Sequence, residues 1–210
     1  KTLIGKGIPE VAGTAKAHGA EGKEFAEEAR KNLGLPDELY FVSNSVKEYF
    51  SAHKQDLLKA HAIWEETYEQ WKSANPDKSE LLISAMNGDC LKDLISCIPP
   101  FPPDANLATR VAGRDILQHL AEAVPVLVSG SADLHGSTNN YIKDAGDFTR
   151  DNPNGRNLLF GIREHGMGAI VNGFGYDGLY RASCATFAVF SDYMRPSVRL
   201  AALAKLPVFY

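Results

Sequence analysis

The feature that most constrains this chain is a change of hydrophobic period after about residue 105. Short apolar runs at 125–130, 157–160, 181–185 and 206–210 alternate there with stretches of helical period at 110–123, 164–173 and 187–204. A strand that is apolar throughout needs cover on both faces, and a strand–helix–strand order supplies it. The expected fold class is therefore α/β, a parallel sheet with helices on both faces. In open sheets of this kind ligands bind outside the carboxyl ends of the strands, where loops lead into helices. Those places are 129–134 with Gly136 and Ser137, 161–164, 184–187, and whatever follows Tyr210.

The residues before the sheet read as helical. A charged helix is expected at about 22–33, closed by Gly34 with Pro36 beyond it. Ser45-x-x-Glu48 is a capping box. Val46, Tyr49, Phe50, His53, Leu57, Ala60, Trp64, Tyr68 and Trp71 follow at steps of three and four until Asn75-Pro76 ends the helix. Such a stripe calls for packing against a neighbouring domain rather than nucleotide stacking. A shorter helix at about 79–86, stopped by Gly88, leads into a proline-rich linker at 98–104. Residues 1–20 hold a short strand-like start and a Gly/Ala-rich loop. With no initiator methionine at the start and an apolar, β-prone run at the end, both termini read as truncated.

Composition narrows the function classes. A formal net charge of -4 gives no broad basic field for nucleic acid, though a local arginine could hold one phosphate. Cys90, Cys97 and Cys184 form no C-x-x-C pair and are odd in number, which points to a reducing compartment, expected to be the cytoplasm. No apolar run is long enough to span a bilayer.

Several residues at the sheet edge have both a plain and a functional reading. Glu164 stands at a helix start, where an acid is favoured by the helix dipole. Gly166, Gly168 and Ala169 leave one face of that helix nearly bare, which suits a dimer contact or a flat ligand. Phe187, Phe190 and Tyr193 share one broad side of the next helix, as core or as a platform for an aromatic ligand. Arg110 at a helix start, Ser137 after a glycine and His18 in a loop each read individually as solvated or capping residues.

Together these residues resemble the transketolase family. The segment Gly161-Ile162-Arg163-Glu164-His165-Gly166-Met167-Gly168-Ala169-Ile170-Val171-Asn172-Gly173 is similar to the family's G-[VI]-R-E-[HF]-x-M-x-A-I-x-N-G signature. Thr186-Phe187 with Phe190 and Tyr193, Gly130 to Leu134 with Ser137, Ala108-Thr109-Arg110, and Gly13-Thr14 with His18-Gly19 resemble family segments in the same order. The chain departs from the family at Ala15, where a histidine is usual, and after Gly19.

The resemblance implies an organisation and a set of roles. Residues 1–20 would close a diphosphate-binding domain, 21–104 would form a helical linker region, and 105–210 would begin a pyrimidine-binding domain. The cofactor would be thiamine diphosphate with Mg2+ or Ca2+, whose ligands would lie upstream, and the enzyme a homodimer with the cofactor at the subunit interface. Glu164 would hydrogen-bond the aminopyrimidine and activate the cofactor. Phe187, Phe190 and Tyr193 would surround that ring, with Asp133 on the cofactor side or at a dimer contact. His18 would be catalytic, facing the diphosphate and the substrate, and Arg110 and Ser137 would hold the phosphate of a sugar phosphate. The implied activity is transfer of a two-carbon ketol unit between sugar phosphates in the pentose phosphate pathway. Dihydroxyacetone synthase, or a non-catalytic piece of a split enzyme, are the competing readings.

Overall fold

In the computed structural model, which describes residues 3–18 and 24–210, the chain divides between Trp71 and Lys72 into two units. In the first, the loop over residues 3–18 folds around the buried Ile8 and Val11. Helix α1, Ala26–Asn32, is tied to that loop by the Asn32 side-chain amide, which donates to the Gly7 carbonyl at 2.8 Å. The start expected for this helix at residue 22 falls on residues outside the described ones.

Helix α2 spans Asn44–Ala74. Its cap is Ser43, not the expected Ser45: the Val46 N–H donates to Ser43 Oγ at 3.4 Å, and the Lys47 N–H to the Ser43 carbonyl at 3.0 Å. Ser45 Oγ instead meets Ser43 Oγ at 3.1 Å. Ser43, Asn44 and Ser45 are all good capping residues, and the helix simply extends back to the first. The stripe is exposed from Val46 to Trp64, with Tyr49 at 70% and Trp64 at 58%, while Tyr68 and Trp71 at its end are partly buried. Its rings stack along the helix: Trp64 on Tyr68 with centroids 5.2 Å apart, and Tyr68 on Trp71 at 5.9 Å.

The second unit contains the sheet. Helix α3, Pro76–Asn87, starts on a proline whose missing N–H has no helical partner to lose, and it stops at Gly88 in the left-handed conformation. After two short 3-10 turns and the prolines come α4 (Thr109–Ala123), β1 (Leu127–Ser131), the one-turn helix α5 (His135–Thr138) and β2 (Asn157–Leu159). Then follow α6 (Glu164–Asp177), β3 (Arg181–Ala185) and α7 (Ser191–Ala204). The strands are parallel in the order β2-β1-β3, with Ser129 opposite Asn157 on one side and Ser183 on the other. The expected fourth strand is reduced to one parallel bridge, Ser183 to Phe209.

Both faces of the sheet are covered, as the alternation of strands and helices requires. On one, Val128, Leu158, Phe160, Ala182 and Cys184 pack with Met167 and Val171 of α6 and Met194 of α7. On the other, Val126 and Leu127 pack with Ala121 and Val124 at the end of α4, Ala85 of α3, and Ile142. The strands are nevertheless not apolar throughout. Ser129, Ser131 and Asn157 are fully buried, and Ser129 and Asn157 tie the segment 139–147 to the sheet. Ser129 Oγ donates to the Asn140 carbonyl at 2.7 Å. The Asn157 amide donates to the Ile142 carbonyl at 2.9 Å and accepts the Ile142 N–H at 2.8 Å. Hydrogen bonds here add to the apolar contact that both faces share.

Gly130 lets Phe160 lie flat on the central strand, since a Cβ there would stand 2.1 Å from the Phe160 ring. Gly130→Ala should therefore lower stability by about 2 kcal/mol or more through overpacking. Asn157→Ala should cost about 2–3 kcal/mol by stranding the Ile142 backbone groups. Urea titrations followed by circular dichroism would check both, with the exposed Tyr49→Ala as a control expected to stay within about 0.5 kcal/mol of wild type.

Candidate functional site

Because the three strands are parallel, their carboxyl ends open on one edge. Ser131 ties that edge together: its hydroxyl donates to the Ala185 carbonyl at the end of β3 (3.1 Å) and accepts the Leu134 N–H in the loop after β1 (3.0 Å). Asp133 sits in that loop, exposed and in the left-handed conformation at φ 62, which aspartate tolerates better than most residues. Ser137 lies exposed in α5.

After β2 the chain turns through Gly161, at φ 62, and the Arg163 guanidinium donates to the Phe160 carbonyl at 2.8 Å. This turn starts α6 at Glu164, whose side chain is partly buried in the first helical turn. Adjacent strands are about 4.8 Å apart, so the ends of β2 and β3, separated only by β1, stand about 10 Å from each other across the edge. After β3 the chain forms a 3-10 turn, Ala188–Phe190, before α7 starts at Ser191. The helix thus starts four residues later than the period implies. The tighter turn brings residues three apart into line, and the Phe187 and Phe190 rings stack at 5.8 Å and 21°. Tyr193 continues the ladder at 6.2 Å from Phe190. Phe187 is 39% and Tyr193 66% exposed, so neither is a core residue. Beside them, the Thr186 hydroxyl is buried without a hydrogen-bond partner.

The bare face expected on α6 is divided. Gly168 is buried against α7, where a Cβ would stand 2.9 Å from Ser197 Cβ and 3.1 Å from Met194 Cε. It serves helix packing inside the chain. Ala169, Ile170 and Gly173 remain exposed.

Arg110, in the first turn of α4, lines a cleft of about 350 Å³ with Arg114, Thr138, Asn140, Phe209 and Tyr210. The chain therefore brings Arg110 close to the end of α5, the helix that carries Ser137. His18 belongs to the first unit, exposed and extended at the end of a 3-10 turn, Ala15–Ala17. Among the described residues no group of three or more His, Cys, Asp or Glu could hold a metal ion, and no helix is long and apolar enough to cross a membrane.

Sequence reasoning passed over Asn172 and Ser197. Both are buried polar residues in the seam between α6 and α7, with the Asn172 amide donating to the Ser197 carbonyl at 2.9 Å. Ser197 stands on the buried stripe Met194, Ser197, Ala201, and a serine on such a stripe is the only trace it leaves in the sequence.

Known proteins match this architecture. A family model described as "Transketolase, pyrimidine binding domain" matches residues 105–210. The chain belongs to the transketolase family. A second model, "Transketolase, thiamine diphosphate binding domain", matches residues 1–90. Across all 210 residues the chain is 59% identical to transketolase from Physarum polycephalum and 55% identical to that from Dictyostelium discoideum, covering 32% of each. The solved transketolase from Leishmania mexicana superposes with a TM-score of 0.76 at 30% identity, over 94% of this chain and 30% of that one. The chain thus spans about a third of the length of the curated relatives it matches.

Cys184, on the apolar face of β3, is pushed up to about 12 by burial. A thiol with so high a pKa holds almost no thiolate near neutrality and is not a nucleophile there. A thiol reagent at about pH 8 should modify the exposed Cys97 and leave Cys184 intact until the protein is unfolded, as peptide mass mapping would report.

Proposed function

We propose that this chain forms the pyrimidine side of a thiamine diphosphate-dependent transketolase, which moves a two-carbon ketol unit from a ketose phosphate to an aldose phosphate. The observation that carries the reading is that Glu164, in the first turn of the helix after β2, and the exposed ladder Phe187, Phe190 and Tyr193, after β3, both follow the carboxyl ends of parallel strands. The residues suit the cofactor on two counts. Aromatic rings that stack on one another yet stay exposed have surface left for a planar heterocycle, and the buried, unpartnered Thr186 hydroxyl beside them lacks a hydrogen-bond partner of the kind a polar ligand supplies.

When bound, thiamine diphosphate supplies the electron sink that lets a carbon–carbon bond beside a ketone break and re-form. Glu164 would hydrogen-bond the ring nitrogen of the aminopyrimidine, in a partly dry setting that strengthens such a bond. Phe187 stacks on that ring, Phe190 and Tyr193 line its surroundings, and Asp133 stands on the cofactor side or at a dimer contact. Arg110 and Ser137, around the α4–α5 cleft, hold the substrate phosphate through a guanidinium fork and a hydroxyl.

The domain assignment is also a proposal. Residues 1–20 close the diphosphate-binding domain, 21–104 form a helical linker region ending in the prolines, and 105–210 begin the pyrimidine-binding domain. In a homodimer the cofactor would be held between the pyrimidine side of one subunit and the diphosphate side of the other, where His18 would face the diphosphate and the reacting end of the substrate. The divalent cation, Mg2+ or Ca2+, is held with the diphosphate by ligands outside these residues. The three unpaired cysteines suit the cytoplasm.

In the intact enzyme, Glu164→Gln should lower turnover by about 10² to 10⁴ while circular dichroism stays unchanged. Normal turnover would return Glu164 to a helix-start acid. Arg110→Ala should raise KM for phosphorylated substrates by about tenfold or more, the worth of one charge-assisted contact. Steady-state assays with ribose 5-phosphate and with formaldehyde as acceptors test the substrate class, and activity with formaldehyde alone would make the enzyme a dihydroxyacetone synthase.

A further inference from the structure

A chain of hydrogen bonds runs along the seam between α6 and α7. The Tyr210 hydroxyl donates to Asn172 Oδ1, and the Asn172 amide donates to the Ser197 carbonyl at 2.9 Å. Ser197 Oγ lies 2.7 Å from His165 Nδ1 and 3.1 Å from the His165 carbonyl oxygen. Ser197 is 1% exposed, and the missing Cβ of Gly168 is what lets the two helices come close enough for these contacts. No role assigned above uses this chain, yet it ends on the residue next to Glu164.

The two contacts of Ser197 Oγ decide a proton position. A carbonyl oxygen only accepts, so the 3.1 Å contact takes the serine's single proton. The 2.7 Å contact is then a hydrogen bond only if Nδ1 carries the proton. The opposite arrangement, with the hydroxyl donating to Nδ1, leaves the buried Ser197 oxygen facing the His165 carbonyl oxygen without a hydrogen between them, which is unfavourable. The arrangement Nδ1–H to Oγ–H to carbonyl satisfies every atom, and in the neutral ring it leaves the lone pair on Nε2.

We propose that Ser197 is a positioning residue: from α7 it clamps the first turn of α6, fixes His165 as the Nδ1–H tautomer, and so holds the backbone that carries Glu164. The effect on turnover rests on the cofactor reading of Glu164; the tautomer does not.

The test has two arms, both on the intact enzyme. Side-chain ¹⁵N shifts of His165, assigned by their loss in His165→Gln and recorded above the imidazole pKa at about pH 8, should show a protonated Nδ1 and a bare Nε2. In Ser197→Ala the ring should revert to the Nε2–H form that free imidazole side chains favour. In that variant kcat should also fall about fivefold to tenfold, and the same substitution should cause no further loss in a Glu164→Gln background. An Nε2–H tautomer in the wild-type protein, or an unchanged kcat in Ser197→Ala, would overturn the proposal. Should Ser197→Ala fail to accumulate folded, Ser197→Cys, whose slightly larger side chain keeps only a weak hydrogen-bonding group, serves the same comparison. Normal turnover of Glu164→Gln would remove the cofactor reading and with it the positioning of a catalytic group, while the ¹⁵N shifts would still decide the tautomer.

Discussion

Parallel pairing of β1 with β2 on one side and β3 on the other is the constraint on which the rest of the second unit depends. A central strand hydrogen-bonded on both sides cannot slip by one residue without turning its own side chains to the wrong face and breaking both ladders. Fixing the register of β1 therefore also fixes the loops that leave the three strands. Ser131 extends this control past the last ladder bond, because its hydroxyl joins the end of β3 to the turn after β1. Glu164 follows β2 and Phe187 follows β3, so both come from the carboxyl edge of the sheet.

Both faces of the sheet are packed with apolar side chains, but one also carries a buried hydrogen-bond network within the sheet. The α6–α7 face is apolar and tightly packed, with Met167 and Val171 fully buried, and it admits close helix contact only because Gly168 carries no side chain. The opposite face carries Ser129, Ser131, Asn157 and Ser183, with the Ser183 hydroxyl 3.1 Å from that of Ser129. Apolar packing tolerates small rearrangements, whereas a buried polar network must satisfy each member or lose stability. The segment 139–147, which passes beside the Arg110 cleft, is attached by the less forgiving of the two.

Much of this architecture was legible in the sequence, for identifiable reasons. The alternation after residue 105 gave the parallel, doubly covered sheet, and the long segment around Glu164 gave the family. Element ends were less legible. Ser43, Asn44 and Ser45 compete for the same cap, and period alone cannot choose among them. Phe187, Phe190 and Tyr193 have helical spacing, but a 3-10 turn satisfies the first two equally well, so the helix starts at Ser191. The polar sheet face left no local signal, since Asn157 finds its partners 11 and 15 residues away in an irregular loop. Gly168 looked like part of an open surface because its partner, Ser197, lies on a different helix.

The aromatic ladder on α2 has a practical consequence for anyone following this fold in solution. Both tryptophans of the chain, Trp64 and Trp71, stand on that one helix, flanking Tyr68 in a continuous stack. Their emission reports the environment of α2, and the sheet that carries Glu164 contains no tryptophan at all. Intrinsic fluorescence from these residues could stay constant while the sheet opened, or change while it remained intact. An optical probe of the sheet would have to be introduced there.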